Sequence, residues 1–173
     1  YASTAEEYGL LDPRGPYSVI AYDLESGARK WQRQFLPDAS ARELACAAAA
    51  PTDCRNLFST GTSVTIVTLA GGKQVLTVGQ KWGFVYGLDP DSNGEELWRT
   101  RVALGGDLGG VMYGMATDGS ALYVPVSDDE ASPPHRPGGL AALDPASGAV
   151  LWRVAGPDPQ CSWGAQGCNA AFV

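Results

Sequence analysis

The sequence predicts an all-β fold built from repeated four-stranded antiparallel units, and three observations carry that prediction. Nearly the same phrase occurs three times, as "YSVIAYDLESGARKWQ" at 17–32, "QKWGFVYGLDPDSNGEELWR" at 80–99 and "GGLAALDPASGAVLWR" at 138–153. Further segments with strand chemistry lie between the copies. No stretch has convincing amphipathic helical periodicity.

Aligned on Asp23, Asp89 and Asp144, the copies place tryptophans at Trp31, Trp98 and Trp152, eight, nine and eight positions later, with one residue inserted in "PDSNG". Before each aspartate stand β-branched, aromatic or small apolar residues, as in Val19-Ile20-Ala21-Tyr22, Val85-Tyr86-Gly87-Leu88 and Leu140-Ala141-Ala142-Leu143. These residues suit a pleated, half-buried surface. Between aspartate and tryptophan come Glu25-Ser26-Gly27, Ser92-Asn93-Gly94 and Ala146-Ser147-Gly148. Glycine there supplies the positive φ of a hairpin turn, and the aspartate can bond neighbouring backbone amides. Each copy is therefore expected to be a hairpin. The segments "SVTIVTL" (63–69) and "KQVLTVG" (73–79) add two strands around "AGG", and "GMATDGSALYVPVSD" (114–128) adds two around Asp118-Gly119. Strand, turn, strand, loop, strand, turn, strand is the grammar of a β-propeller blade. The aspartates are 66 and then 55 residues apart because long insertions, including 36–56 and 129–137, separate the strands. Loops of that length in a compact repeat are often functional.

Composition narrows the partners. The 173 residues are 45% hydrophobic, as in a globular domain, and their net charge of -7 repels phosphate backbones, so nucleic acid is not an expected partner. No apolar run approaches the roughly 20 residues of a membrane-crossing helix. Cys46 with Cys54, and Cys161 with Cys168, form two local pairs in Ala-, Pro- and Gly-rich stretches. Two disulfides in an oxidising compartment are the expectation; a zinc site, with only His135 available and far away, and free thiols are the alternatives.

The phrase "ALDPASGAVLW" and its sisters resemble the repeat of the quinoprotein dehydrogenases, and of related propellers such as the outer-membrane assembly lipoproteins. The succession "GQKWGFVYGLDPDSNGEELWRTRVALGG" and "LGGVMYGMATDGSALYVPVSD" resembles the polyvinyl-alcohol-dehydrogenase type of quinoprotein across nearly the whole chain. The resemblance implies that Trp31, Trp98 and Trp152, with Asp23, Asp89 and Asp144, tie neighbouring blades together. Such rings close with more blades than the three or so that this length supplies, so the chain is expected to be part of a larger ring whose other blades, or other proteins, are its partners.

The resemblance also implies pyrroloquinoline quinone (PQQ) and calcium as cofactors, with Lys81 of "GQKWG" against the quinone oxygens. A desolvated ammonium beside a quinone carbonyl favours hydride acceptance. Glu7 before Tyr8 falls at a calcium-ligand position and could offer oxygen, the other reading being a surface carboxylate. The family's acidic stretch falls on "LFSTGTSVTIVTL", where Leu57 and Ser59 replace its two aspartates, so no catalytic base is expected here; neighbouring Asp53 beside Cys54 is expected to cap a loop. The expected function is that of a quinone-dependent alcohol dehydrogenase-like propeller, periplasmic or extracellular, with a degenerate catalytic motif; the alternative is a non-catalytic scaffold that binds proteins. Gly105 to Gly110, "GGDLGG", lacks the Gly-Lys-Ser/Thr ending of a phosphate cradle, and Asp128-Asp129-Glu130 is expected to be a solvated acidic loop rather than a cation site.

Overall fold

The computed structural model describes residues 1–4, 17–35, 60–105, 109–128 and 138–156. These residues form strands and turns without a helix. In order they are β1 (Ala2–Ser3), β2 (Ser18–Tyr22), β3 (Arg29–Gln34), β4 (Thr65–Thr68), β5 (Gln74–Gly79), β6 (Phe84–Asp89), β7 (Glu95–Arg101), β8 (Ala116–Thr117), β9 (Leu122–Val126), β10 (Gly139–Leu143) and β11 (Val150–Ala155). They pair antiparallel into three sheets, β1-β2-β3, β4-β5-β6-β7 and β8-β9-β10-β11, with sequential neighbours side by side in each. The second and third sheets are complete four-stranded blades. The first has three strands among the described residues.

The repeated phrases form equivalent hairpins, β2-β3, β6-β7 and β10-β11. Asp23 Oδ1 accepts from the backbone N–H groups of Glu25 (3.2 Å) and Ser26 (3.0 Å), Asp144 Oδ1 from those of Ala146 (2.7 Å) and Ser147 (3.0 Å), and Asp89 Oδ1 from that of Asp91 (2.9 Å). The turn glycines Gly27, Gly94 and Gly148 have φ of 70°, 71° and 72°, a backbone conformation that costs glycine least. The extra residue of the middle copy is absorbed in its turn: Gly94 N–H bonds Asp89 O across five positions, whereas Gly27 and Gly148 reach Asp23 and Asp144 across four. Each hairpin also has a register shift one residue before its tryptophan, between Ala21/Tyr22, Gly87/Leu88 and Ala142/Leu143 on the facing strand. A bulge there re-aims the following side chain, so all three tryptophans leave their sheets at the same place.

The middle strands are buried on both faces, which explains their near-continuous apolar runs. On β6, Tyr86 and Leu88 pack with Val19 and Phe35 of the first sheet, while Val85 packs with Leu122, Val124 and Leu143 of the third. The period-2 alternation of a strand thus divides its side chains between two neighbouring blades rather than between core and water. Burial pushes the Tyr86 phenol up to about 12, and its hydroxyl donates to Gln80 Oε1 at 3.1 Å.

Leu24 is 97% exposed at the tip of the first turn, where the sister turns carry Pro90 and Pro145. Asp23 and Asp144 share the same backbone bonds, so Leu24→Pro is expected to be compatible with the native turn. It should raise unfolding free energy by about 0.4–1 kcal/mol by restricting the unfolded chain. A lowered denaturant midpoint would show that the first turn differs from the third.

Candidate functional site

The three sheets have two chemically different ends. One end carries the aspartate turns, the β4-β5 turn and the Asp118 turn. Their carboxylates are committed to structure: hydrogen bonds from the Ser26 backbone and hydroxyl, then Lys30, hold Asp23 well below the usual carboxylate range, and bonds from the Ala121 backbone, Ser120 and Tyr123 do the same for Asp118. Asp89 is lowered chiefly by Lys73, whose Nζ lies 3.1 Å from Oδ2. Carboxylates so stabilised in the ionised form are weak bases, so Asp23, Asp89 and Asp118 serve this end as turn anchors.

From this end the tryptophans dock blade on blade. Trp98, 8% exposed, lies over Gly87 of its own sheet and against Gly148 of the next, where a Cβ would come within 2.5 Å of its Cε3. Its Nε1–H donates to Pro145 O at 3.0 Å. Beside it Thr100 Oγ1 donates to Gly148 O (2.6 Å), and the Arg153 guanidinium donates back to Arg101 O (3.0 Å) and Val102 O (3.3 Å). Trp31 repeats the contact one blade earlier, with Gly94 close under its ring. Trp152, at the equivalent place on β11, packs beside Tyr123 with ring centroids 6.0 Å apart and is 42% exposed. A large flat indole with one N–H to satisfy suits the joint that Trp31 and Trp98 make with the next hairpin.

The opposite end holds Lys81. The "QKWG" turn joins β5 to β6: Gly83 N–H bonds Gln80 O (2.8 Å), Gln80 N–H bonds Phe84 O (2.9 Å), and Gly83 takes φ 84°. This is a type I turn closed by a glycine bulge, with Lys81 at its first central position, half-buried. Gln80, 2% exposed, fixes the turn to the first blade, its Nε2 donating to Phe35 O at 3.3 Å. Trp82 packs on Tyr17, and the Arg101 guanidinium lies 6.0 Å from the Trp82 ring and 5.7 Å from that of Phe84. Arg101 also donates to Ala103 O (3.1 Å) and Leu104 O (2.7 Å), which fixes it against the turn.

The glycine-rich stretch that follows β7 is a brace for this turn. A Cβ on Gly110 (φ 83°) would overlap the Lys81 carbonyl oxygen, and one on Gly105 (φ 85°) would lie 2.6 Å from the Trp82 carbonyl carbon. Asp128, expected in a solvated acidic loop, instead accepts the backbone N–H of Leu104 at 2.9 Å. The glycine pairs flanking "DL" are the signal of this arrangement in the sequence, but not of what they press against. Among the described residues no cluster of His, Cys, Asp or Glu is arranged to hold a metal ion. Glu7, Asp53, Leu57, Ser59, Asp129, Glu130, His135 and the four cysteines Cys46, Cys54, Cys161 and Cys168 lie outside the described residues.

Antiparallel blades stacked face to face, the first and second each locked by a tryptophan on the hairpin of the next, are the arrangement of a β-propeller. Residues 81–162 match the family model described as outer membrane protein assembly factor BamB. Residues 81–162 thus carry the repeat of that family, and the chain is similar to polyvinyl alcohol dehydrogenase: it is 36% identical to the Pseudomonas sp. polyvinylalcohol dehydrogenase over 173 residues, 99% of this chain and 27% of that protein. It thus spans about a quarter of the length of the curated relatives it matches. Solved structures show the same fold. Quinohemoprotein alcohol dehydrogenase from Comamonas testosteroni aligns with a TM-score of 0.55 at 20% identity, covering 86% of this chain and 20% of that one. BamB from Moraxella catarrhalis aligns with a TM-score of 0.50 at 16% identity, covering 93% and 36%.

Proposed function

We propose that this chain contributes blades to a PQQ-dependent dehydrogenase acting on secondary alcohols of the polyvinyl alcohol kind. The observation that carries the reading is relatedness to polyvinylalcohol dehydrogenase along 99% of the chain. When bound, PQQ would supply a two-electron acceptor for the hydride and proton that a secondary alcohol loses on oxidation. Lys81 fits one part of such a site. Its backbone belongs to a turn fixed by Gln80, Gly105 and Gly110, and an ammonium carried there would offer N–H donors to an anionic, carbonyl-rich ligand.

The proton acceptor comes from elsewhere in the ring, since Leu57 and Ser59 carry no carboxylate. Calcium would need oxygen ligands beyond the described residues, and no step is assigned to it. Further blades are the proposed partners, the exposed Trp152 face of β11 being the place where the next would dock. The paired cysteines suit a periplasmic or extracellular setting.

Titration of the full-length protein with PQQ, with and without calcium, and a secondary-alcohol assay test the proposal. Lys81→Ala is expected to weaken quinone binding by about 2 kcal/mol, or roughly 30-fold, the loss of a hydrogen bond from a charged donor. No binding of the wild type at saturating PQQ would reject the dehydrogenase and leave a protein-binding propeller.

A further inference from the structure

We infer that Asp128, carried by the blade after the one that bears Lys81, is a positioning residue for Lys81. This inference rests on the quinone reading for its purpose but not for its geometry. Asp128 Oδ1 accepts the Leu104 N–H at 2.9 Å and lies 3.5 Å from the Gly105 nitrogen, so it holds the chain where it leaves β7. Its neighbour Ser127 holds the far side: Ser127 N–H bonds Gly110 O at 2.9 Å, and Gly110 N–H bonds Ser127 O. Two adjacent residues of the third blade therefore clamp both described flanks of the glycine-rich stretch.

The clamped flanks are the ones that press on the Lys81 turn. Gly105 lies against the Trp82 backbone and Gly110 against that of Lys81, and Val111 N–H bonds Gln80 O at 3.2 Å. A carboxylate acceptor for backbone N–H groups is a strong anchor, and the restraint passes from Asp128 through Leu104 and Gly105 to the turn. Arg101, bonded to Ala103 O and Leu104 O, ties the same strand end to the Trp82 ring. The clamp crosses the joint between two blades, so the backbone of the Lys81 turn is held by how the third blade docks on the second. Arg153, bonded to Arg101 O and Val102 O, is a further charged group at this joint beside Asp128, Arg101 and Lys81.

The test compares Asp128→Ala with Asp128→Asn, whose side-chain oxygen can still accept an amide N–H. Two readouts need no cofactor. Hydrogen exchange at Leu104, Gly105 and Val111 should quicken about tenfold in the alanine variant, the effect of losing one charge-assisted bond locally. Acetylation of Lys81 by acetic anhydride, measured against Lys30 and Lys73 in the same molecule, should change at least about threefold in Asp128→Ala and stay near wild type in Asp128→Asn. Affinity for PQQ should fall about tenfold in Asp128→Ala and be largely restored in Asp128→Asn. Unchanged exchange and unchanged Lys81 acetylation would overturn the inference, as would altered acetylation that Asp128→Asn fails to rescue at wild-type thermal midpoint. Failure of the wild type to bind PQQ would reject the proposed function alone, because exchange and acetylation report the clamp directly.

Discussion

Trp98→Ala is expected to lower the unfolding free energy by about 3–5 kcal/mol, at the upper end for a single side chain. The indole is 8% exposed, lies over Gly87 and Gly148, and satisfies its N–H on Pro145 O. Removing it opens a void between two blades and strips a buried acceptor of its partner, two costs that add. Gly148→Ala should cost about 1–3 kcal/mol by forcing a Cβ towards the ring at a φ of 72°. In the Trp98→Ala background the steric part disappears and only the backbone strain remains, so the two losses should be markedly less than additive. Denaturant midpoints for the four proteins measure this, and strict additivity would show that the ring does not sit on that glycine.

The second large effect is expected at Gly110. Alanine there must adopt φ 83° and must displace the Lys81 carbonyl, which lies in a hydrogen-bonded turn with little room to move. Strain and overpacking together put the loss at about 3 kcal/mol. Gly119→Ala isolates the first part, because Gly119 has φ 88° with nothing within 4 Å of the added carbon. It should cost about 1 kcal/mol. The difference between the variants measures the close approach of the glycine-rich stretch to the Lys81 turn; equal losses would mean that no such brace exists.

The hairpins were legible because their instructions are local. An aspartate that bonds amides two and three residues ahead, a glycine at positive φ and a bulge before a tryptophan act over a few positions, so three copies in one register announced three equivalent turns. The inserted residue at 89–94 was legible for the same reason. The placement of the Lys81 turn was not. Gln80 reaches Phe35 O, Gly110 presses on Lys81, and Asp128 bonds Leu104, across separations of roughly 20 to 45 positions that only blade docking brings together. Asp128 looked like part of a solvated acidic run because adjacent like charges ordinarily face water, and only the tertiary structure supplies the backbone amides that occupy it. The sequence by itself determined the strands, their turns and the tryptophan spacing, since each follows from short-range backbone chemistry. The tertiary structure decided which glycine lies under which ring and which carboxylate anchors which turn, since those contacts exist only once one blade is packed against the next.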